Sequence, residues 1–378
     1  MIKLTFYFLT FISIWCLSSC NVVSNNEEET KYTTSVREVI SQKSQALPLS
    51  NYCSSIKYIL LESRKEAMIR KLLRIEFSDK HLFVSDGKKI LKYHLDGTFV
   101  RQIGSVGKGP EEYGAGRVNF VLDPVHEEVF VWNTQGQVVV YRQTDGMYLR
   151  RFSVRQRILD MAYSKSADRL VVVGQRTEDK EGDLFLYKDM KRYDRMGMAT
   201  DSLNYHNSSK KHIGMGSICY SLKDHIHFMF GSDDLMYEMN SDGSIHPYIH
   251  FDFENSVSYE QVDVRKNSYP NYLQVLSPVE MDDALFYVIK KGFNRKEVKF
   301  YFSVFDKKSG QSTLAKHIID DIHGVGTFWP VQITDSGIIG QASASTILSE
   351  CEKKNIDKAT LGLQDLTMES NPVVIIAK

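Results

Sequence analysis

Two histidines one residue apart, His225 and His227 in DHIHFMF, share one face of any strand that carries them and offer half of a zinc or copper site. No third ligand follows at a helpful spacing, although Asp224 and Asp233 are near, so a histidine pair seated between strands is the plainer reading. HIIDDIH, His317 to His323, joins two histidines to two aspartates, but its apolar interleaving fits a strand and turn. His126-Glu127-Glu128 begins like the zinc motif H-E-x-x-H and puts Phe130 where the second histidine belongs. The chain has no G-x-S-x-G elbow and no EF-hand loop. Acid pairs such as Asp233-Asp234 and Asp282-Asp283 stand beside turns, where solvated loops carry them. A catalytic set gathered from distant segments leaves no trace of this kind.

GSVGKGPEEYG, Gly104 to Gly114, has the composition of a phosphate loop. A Walker loop needs a glycine five residues before its Gly-Lys pair and Ser or Thr after it; around Gly107-Lys108 those places hold Gln102 and Gly109. The dinucleotide fingerprint fails at Glu112, the third glycine position. Nucleotide binding is not expected, and the stretch reads as a turn.

The elements around it repeat. FVSDGKKILKYHLDG, Phe83 to Gly97, and FVWNTQGQVVVYRQTDG, Phe130 to Gly146, each run strand, polar loop, strand ending in Tyr, then Asp-Gly. The aromatic marker recurs at Tyr93, Tyr141, Tyr187, Tyr237 and Phe305, at spacings of 48, 46, 50 and 68 residues. The long gap includes an insertion near 253–275, a helix or a long loop. Short strands repeated at this period mean blades of an all-β propeller. Length gives six four-stranded antiparallel blades, five of them near 68–104, 116–155, 157–200, 212–253 and 275–320. The remainder carries strands near WPVQIT and GIIGQAS, a helix STILSECEKKN and a final PVVIIAK. It lacks a strand, which SIKYILLES, Ser55 to Ser63, is expected to supply from upstream so that no sheet edge stays open. Gly104–Gly114 then becomes the crossing from the outermost strand of blade 1, TFVRQIG, to the innermost of blade 2, RVNFVLD.

The N-terminus is an address. Lys3 precedes an apolar run from Leu4 to Leu17, 14 residues, too short for a bilayer core of about 30 Å, so residues 1–19 read as a signal peptide. Residues 20–50 are polar and read as a tether, leaving 51–378 for the propeller. Glu27-Glu28-Glu29 reads as a solvated charge run. The chain has 47 basic and 47 acidic residues, a balance that gives no electrostatic case for nucleic acid. Cys53, Cys219 and Cys351 are far apart and odd in number, so at most one disulfide is available, and no Cys-x-x-Cys pair occurs. No cofactor and no metal are expected.

Leu17-Ser18-Ser19-Cys20 resembles the lipobox of bacterial lipoproteins, in which the cysteine becomes the lipidated first residue. LFVSDGKKILKYHLDGTFVRQIGSVGKGPEEYG is similar to an NHL repeat, with Glu112 where such loops prefer glycine. Signal, lipobox, tether and the terminal Asn371-Pro372-Val373 strand together resemble the six-bladed β-propeller lipoproteins of gut Bacteroidetes. The resemblance implies lipidation at Cys20, palmitate included, and a cell-envelope address at the outer membrane, on either leaflet side. It implies a scaffold for protein, peptide or glycan more readily than an enzyme, with a propeller lyase or hydrolase acting in the central channel as the alternative.

Loops joining second to third strands share a face with the crossings. That face collects Asp86, Lys88, Lys108, Glu112, Tyr113, Trp132, Asn133, Arg176, Glu178 and Arg295, the candidates for ligand contact. No catalytic residue is named.

Overall fold

The computed structural model describes residues 30–180, 183–210, 217–231, 233–254, 269–293, 297–334 and 337–378. Sheets form in chain order. Blade 1 takes Arg74–Phe77, His81–Ser85, Ile90–His94 and Phe99–Ile103; blade 2 takes Val118–Asp123, Glu128–Asn133, Gln137–Arg142 and Tyr148–Ser153. Blade 3 takes Arg157–Ser164, Arg169–Lys180, Asp183–Tyr193 and Ala199–Lys210. Blade 4 takes Ile218–Leu222, His225–Met229, Leu235–Met239 and Ile245–Asp252; blade 5 takes Leu273–Glu280, Ala284–Lys291, Lys299–Asp306 and Gln311–Ile319. Blade 6 takes Gln332–Thr334, Gly337–Ala342 and Val373–Ala377, and its fourth strand is Ile56–Leu60, antiparallel to the third with Leu60 opposite Val373. First strands of blades 1 to 4 lie side by side, and that of blade 6 touches those of blades 5, 1 and 4. The ring is a six-bladed β-propeller closed by strands from both ends of the described chain.

Alternation fails along the middle strands because both faces are covered: Glu128–Asn133 and Val373–Ala377 are buried over their whole length. An apolar cluster fills each of the six seams between neighbouring blades. Four of the aromatic markers, Tyr93, Tyr141, Tyr237 and Phe305, are buried in those seams, each contributing on the order of 1.5–3 kcal/mol. Tyr187 is on the third strand of blade 3, and its side chain lies outside the described residues. The turn after Tyr93 needs its glycine. Gly97 has φ +93, and a Cβ there would meet the Leu60 carbonyl oxygen at 2.1 Å.

The tether expected over 20–50 is corrected in its second half. Tyr32–Ser35 pairs parallel with the outer strand of blade 4, Tyr32 opposite Ile249. Gln45–Pro48 pairs parallel with the outer strand of blade 5, Leu47 opposite Ile318. Between them the helix Val36–Ser41, capped by the Ser35 hydroxyl accepting from the Glu38 N–H, presses Val36 and Val39 into the seam between blades 4 and 5. These pieces are too short to hold a conformation alone. They order because finished sheets offer unpaired edges, which a reading of isolated segments does not contain.

The insertion near 253–275 falls mostly outside the described residues, which omit 255–268. Blade 3 departs from the others: its last three strands have 12, 11 and 12 residues and continue past Arg157, where its first strand begins opposite Gln175. Their tip, Lys180 opposite Asp183, stands out on the face of the crossings.

Candidate functional site

The crossing from blade 1 to blade 2 is built by its own polar groups. The Ser105 carbonyl accepts the Tyr113 N–H at 3.1 Å. The Glu112 carboxylate accepts the Gly109 N–H at 2.6 Å and the Ser105 hydroxyl at 3.3 Å, so an acid closes the loop where a phosphate would sit in a nucleotide site. The Tyr141 hydroxyl donates to the Glu111 carbonyl at 2.6 Å. Burial pushes the Tyr141 phenol up, so it stays a donor at any physiological pH. Tyr113 is buried beneath the loop, edge-on to Tyr141 at 6.4 Å. The Asn133 amide holds the Tyr113 carbonyl at 3.0 Å while its oxygen accepts the Gln135 N–H at 2.9 Å.

Positive φ belongs to Gly104 (+57), Gly114 (+78) and Gly116 (+105), not to Gly107 or Gly109. Gly107 is constrained by space instead, since a Cβ there would lie 1.9 Å from a Glu112 carboxylate oxygen.

At the rim of the ring this loop opens a cavity of about 440 Å³ between blades 1 and 2. Ser105, Glu111, Glu112 and Tyr141 line one side; Met147 and Tyr148, just past the Asp145-Gly146 turn, line the other. Met147 is 55% exposed, and Tyr148 packs edge-on to Tyr141 at 6.4 Å.

The candidates for ligand contact therefore divide. Glu112, Tyr113 and Lys108 come together on the crossing, with Lys108 exposed and Tyr113 interior. Asp86 caps its own hairpin, accepting the Lys88 and Lys89 N–H groups at 2.8 and 3.0 Å, and Lys88 is exposed. Asn133 shapes a turn. Trp132 is 3% exposed in the core between blades 2 and 3, with the Arg74 guanidinium 5.4 Å from its ring centre. Arg176 stands on the lengthened blade 3, its Nε 3.9 Å from Asp189. The side chain of Glu178, Arg295 and Cys20 all lie outside the described residues.

First strands near the centre of the ring are tied by paired charges. Arg74, on the first strand of blade 1, donates to Glu76 and to Asp160 of blade 3, both at 2.9 Å, and to the Met161 carbonyl at 3.2 Å. Asp160 also accepts the Cys219 N–H of blade 4 at 2.9 Å. Burial raises the Asp160 carboxyl and Arg74 opposes that rise.

Two further clusters were not legible in the sequence. On the face opposite the crossings, His126 Nδ1 lies 2.8 Å from Asp123 and 3.7 Å from Asp168, which takes the Tyr163 hydroxyl at 2.6 Å. These three ligand atoms are near enough together to hold a cation. Arg195 already stands 3.7 Å from Asp123 and 2.9 Å from Glu128, and Arg150 grips Glu128 through two bonds of 2.7 and 2.6 Å. Three carboxylates thus face two guanidinium groups and an imidazole, an ion-pair lock between blades 2 and 3. The broken H-E-x-x-H motif supplies His126 and Glu128 to it.

Between blades 4 and 5, His227 is buried against Tyr220, stacked at 5.4 Å, with Glu280 3.3 Å from its Nδ1. Glu280 accepts from Tyr220 at 2.7 Å, Tyr248 at 2.5 Å and Lys307. His225 and His227 do share a face, where they meet Glu238 at 3.7 and 3.6 Å.

A profile of the family described as Domain of unknown function (DUF4934) matches residues 31–378. The chain belongs to this family. The match opens at residue 31, so the DUF4934 domain includes the segment that wraps blades 4 and 5. Among solved structures, a protein of Bacteroides fragilis NCTC 9343 inferred to be exported is similar at a TM-score of 0.63 and 16% identity, over 86% of this chain and 94% of that one. A Bacteroides thetaiotaomicron VPI-5482 protein of unknown function is similar at a TM-score of 0.45 and 12% identity, over 89% and 75%. No curated protein matches the sequence. The first likeness supports the propeller fold and nothing finer.

Proposed function

We propose that this DUF4934 propeller is a membrane-anchored, extracytoplasmic module that binds or scaffolds a protein, peptide or glycan. The observation that carries the reading is the contrast between a centre where charges are paired with one another and an open periphery. Arg74, Glu76 and Asp160 occupy the channel with one another, whereas the crossing, the rim cavity and the long strands of blade 3 face outward. Recognition therefore belongs to the loops and the rim, where Lys108, Glu112, Arg176 and the half-buried Asp86 stand. The pairing of Arg74 with Glu76 and Asp160 leaves those groups engaged with one another and so favours binding over a lyase or hydrolase that would use them in the channel. The apolar leader and Leu17-Ser18-Ser19-Cys20 support lipid attachment at Cys20, and the Bacteroides fragilis relative in fold, inferred to be exported, agrees with an address outside the cytoplasm. Photo-cross-linking from the crossing and from blade 3 in intact envelopes tests this. A specific partner at either position is expected, and cross-links no different from those of an unrelated surface position would overturn it.

A further inference from the structure

We propose that the crossing face of blade 1 is a cationic surface that binds an extended acidic peptide of a partner protein, an assignment that rests on reading the propeller as a binding module. Three segments meet there. The crossing from blade 6 to blade 1, residues 62–73, brings Arg64, Lys65, Arg70 and Lys71, the hairpin at Asp86 adds Lys88 and Lys89, and Arg117 joins from the next crossing. The Lys89 ammonium donates to the Glu66 carbonyl at 2.9 Å, the Leu73 N–H to the Ser85 carbonyl at 2.7 Å and the Val118 N–H to the Gly87 carbonyl at 2.9 Å, so the segments are contiguous. Against these seven bases stand three acids. Glu62 holds Arg64 at 2.6 Å and the Phe99 N–H at 2.8 Å, Asp86 accepts the N–H groups of Lys88 and Lys89, and Glu66 is exposed. Taking in the whole of the next crossing adds Lys108, Glu111 and Glu112 and leaves the bases in excess, eight to five. The side chains of Lys65, Arg70, Lys71, Lys88 and Arg117 make no hydrogen bond or ion pair among the described residues.

The backbone beneath these cations is held by blade 6. The buried Asn371 amide accepts the Ile69 N–H at 2.7 Å and donates to the Ala67 carbonyl at 3.0 Å. Gln341 accepts the Leu72 N–H at 3.0 Å and donates to the Leu72 carbonyl at 2.8 Å. Ala67, Ile69 and Leu72 are buried, and Met68, Arg70, Lys71 and Leu73 are left exposed. A surface fixed in this way loses little freedom when a partner binds. Like charges gathered on one face raise the local potential and draw an anion. The exposed Met68 and Leu73 select its kind. An acidic peptide has apolar side chains to cover them, whereas an acidic glycan has none, and the three segments contain no aromatic ring on which a nucleic-acid base could stack.

Calorimetry on the full chain without its leader tests the assignment with the peptide Glu-Leu-Glu-Glu-Leu-Glu, its glutamine analogue and hexagalacturonate. The acidic peptide is expected to bind saturably, and less tightly as salt rises. Arg70→Gln with Lys71→Gln should weaken it about tenfold and Met68→Ser should weaken it as well, while Lys308→Gln on a turn of blade 5 leaves it unchanged. Arg70 and Lys71 are exposed, so equal melting temperatures for wild type and this double variant show that folding is not the cause, and Lys65→Gln with Lys88→Gln gives a second reading. No binding of the acidic peptide to wild type overturns the proposal, as does equal affinity in wild type and both double variants. The glutamine analogue or hexagalacturonate binding as tightly as the acidic peptide overturns it too. A partner still cross-linked from the crossing or from blade 3 under any of these results leaves the binding module standing. The absence of any specific cross-linked partner removes the module and the proposal together.

Discussion

At the residue scale, the crossing and the buried histidine give opposite kinds of constraint. Gly104 sits at φ +57 with its missing Cβ 2.5 Å from the Tyr141 ring, so a β-branched residue meets both a forbidden conformation and a clash. Gly104→Val is expected to cost on the order of 1–3 kcal/mol and lower the melting temperature by several degrees in calorimetry, whereas Lys108→Ala on the exposed loop leaves it unchanged. A Gly104→Val protein that melts with wild type would refute this account of the crossing. His227 acts through protons. Burial, opposed by Glu280 and Glu238, holds its pKa below the ordinary 6.5, so the folded state prefers the neutral ring. The unfolded chain takes up its proton near pH 6.5 while the folded one waits for lower pH. Stability from this site is therefore complete above about pH 6.5 and falls as pH drops below it. Melting temperature followed from pH 8 to 5 should decline for wild type, and His227→Gln should flatten that part of the profile; parallel profiles would exclude His227 as the cause.

At the element scale, the wrapping segment carries the clearest expectation. Removing residues 30–48 takes away Val36, Val39 and Leu47, all buried, and bares the outer edges of blades 4 and 5. Each lost apolar side chain is worth about 1.5–3 kcal/mol, and exposed edges invite association. Thermal melting with light scattering should show a lower transition and aggregation, as should deletion of 56–60, which opens blade 6. Loss of residues 21–29 alone should change neither. A 30–48 deletion as stable as wild type would mean that the segment only decorates the ring. Val36, Val39 and Ile40 stand at helical spacing, but six residues of helix have no stability without the seam they fill.

At the scale of the whole molecule, one arginine ties blades across the axis. Arg74→Met leaves Asp160 buried without its counter-charge, which costs about 3–5 kcal/mol, and Arg74→Met with Asp160→Leu should recover much of that loss. Chemical denaturation of the two variants checks this; a double variant no better than the single one would show that the pair is not coupled. The address is a property of the whole chain as well. Cys20→Ala is expected to move the protein from the membrane fraction to the soluble one, or to leave its leader uncleaved, and normal lipid labelling of that variant would remove the anchor from the proposal.

The fold was written locally. Asp96-Gly97 and Asp145-Gly146 turns, aromatic markers at a regular spacing and a short final repeat were enough to give six blades and the closure by Ser55 to Ser63, because each hairpin is specified by residues adjacent in the chain. The crossing was legible for the same reason. Sites were not, because they join segments that sequence keeps apart. Arg74 meets Asp160 across 86 positions, Tyr220 meets Glu280 across 60, and Glu111 and Glu112 acquire Met147 and Tyr148 as a facing wall only when blades 1 and 2 stand side by side. Trp132 shows the limit most plainly. It stands next to the loop after the second strand of blade 2, but the direction of its side chain depends on which neighbouring blade covers that face, and blade 3 turns it into core. Spacing along a chain fixes which residues form a strand; only packing of one sheet on the next decides which of them remain available to a partner.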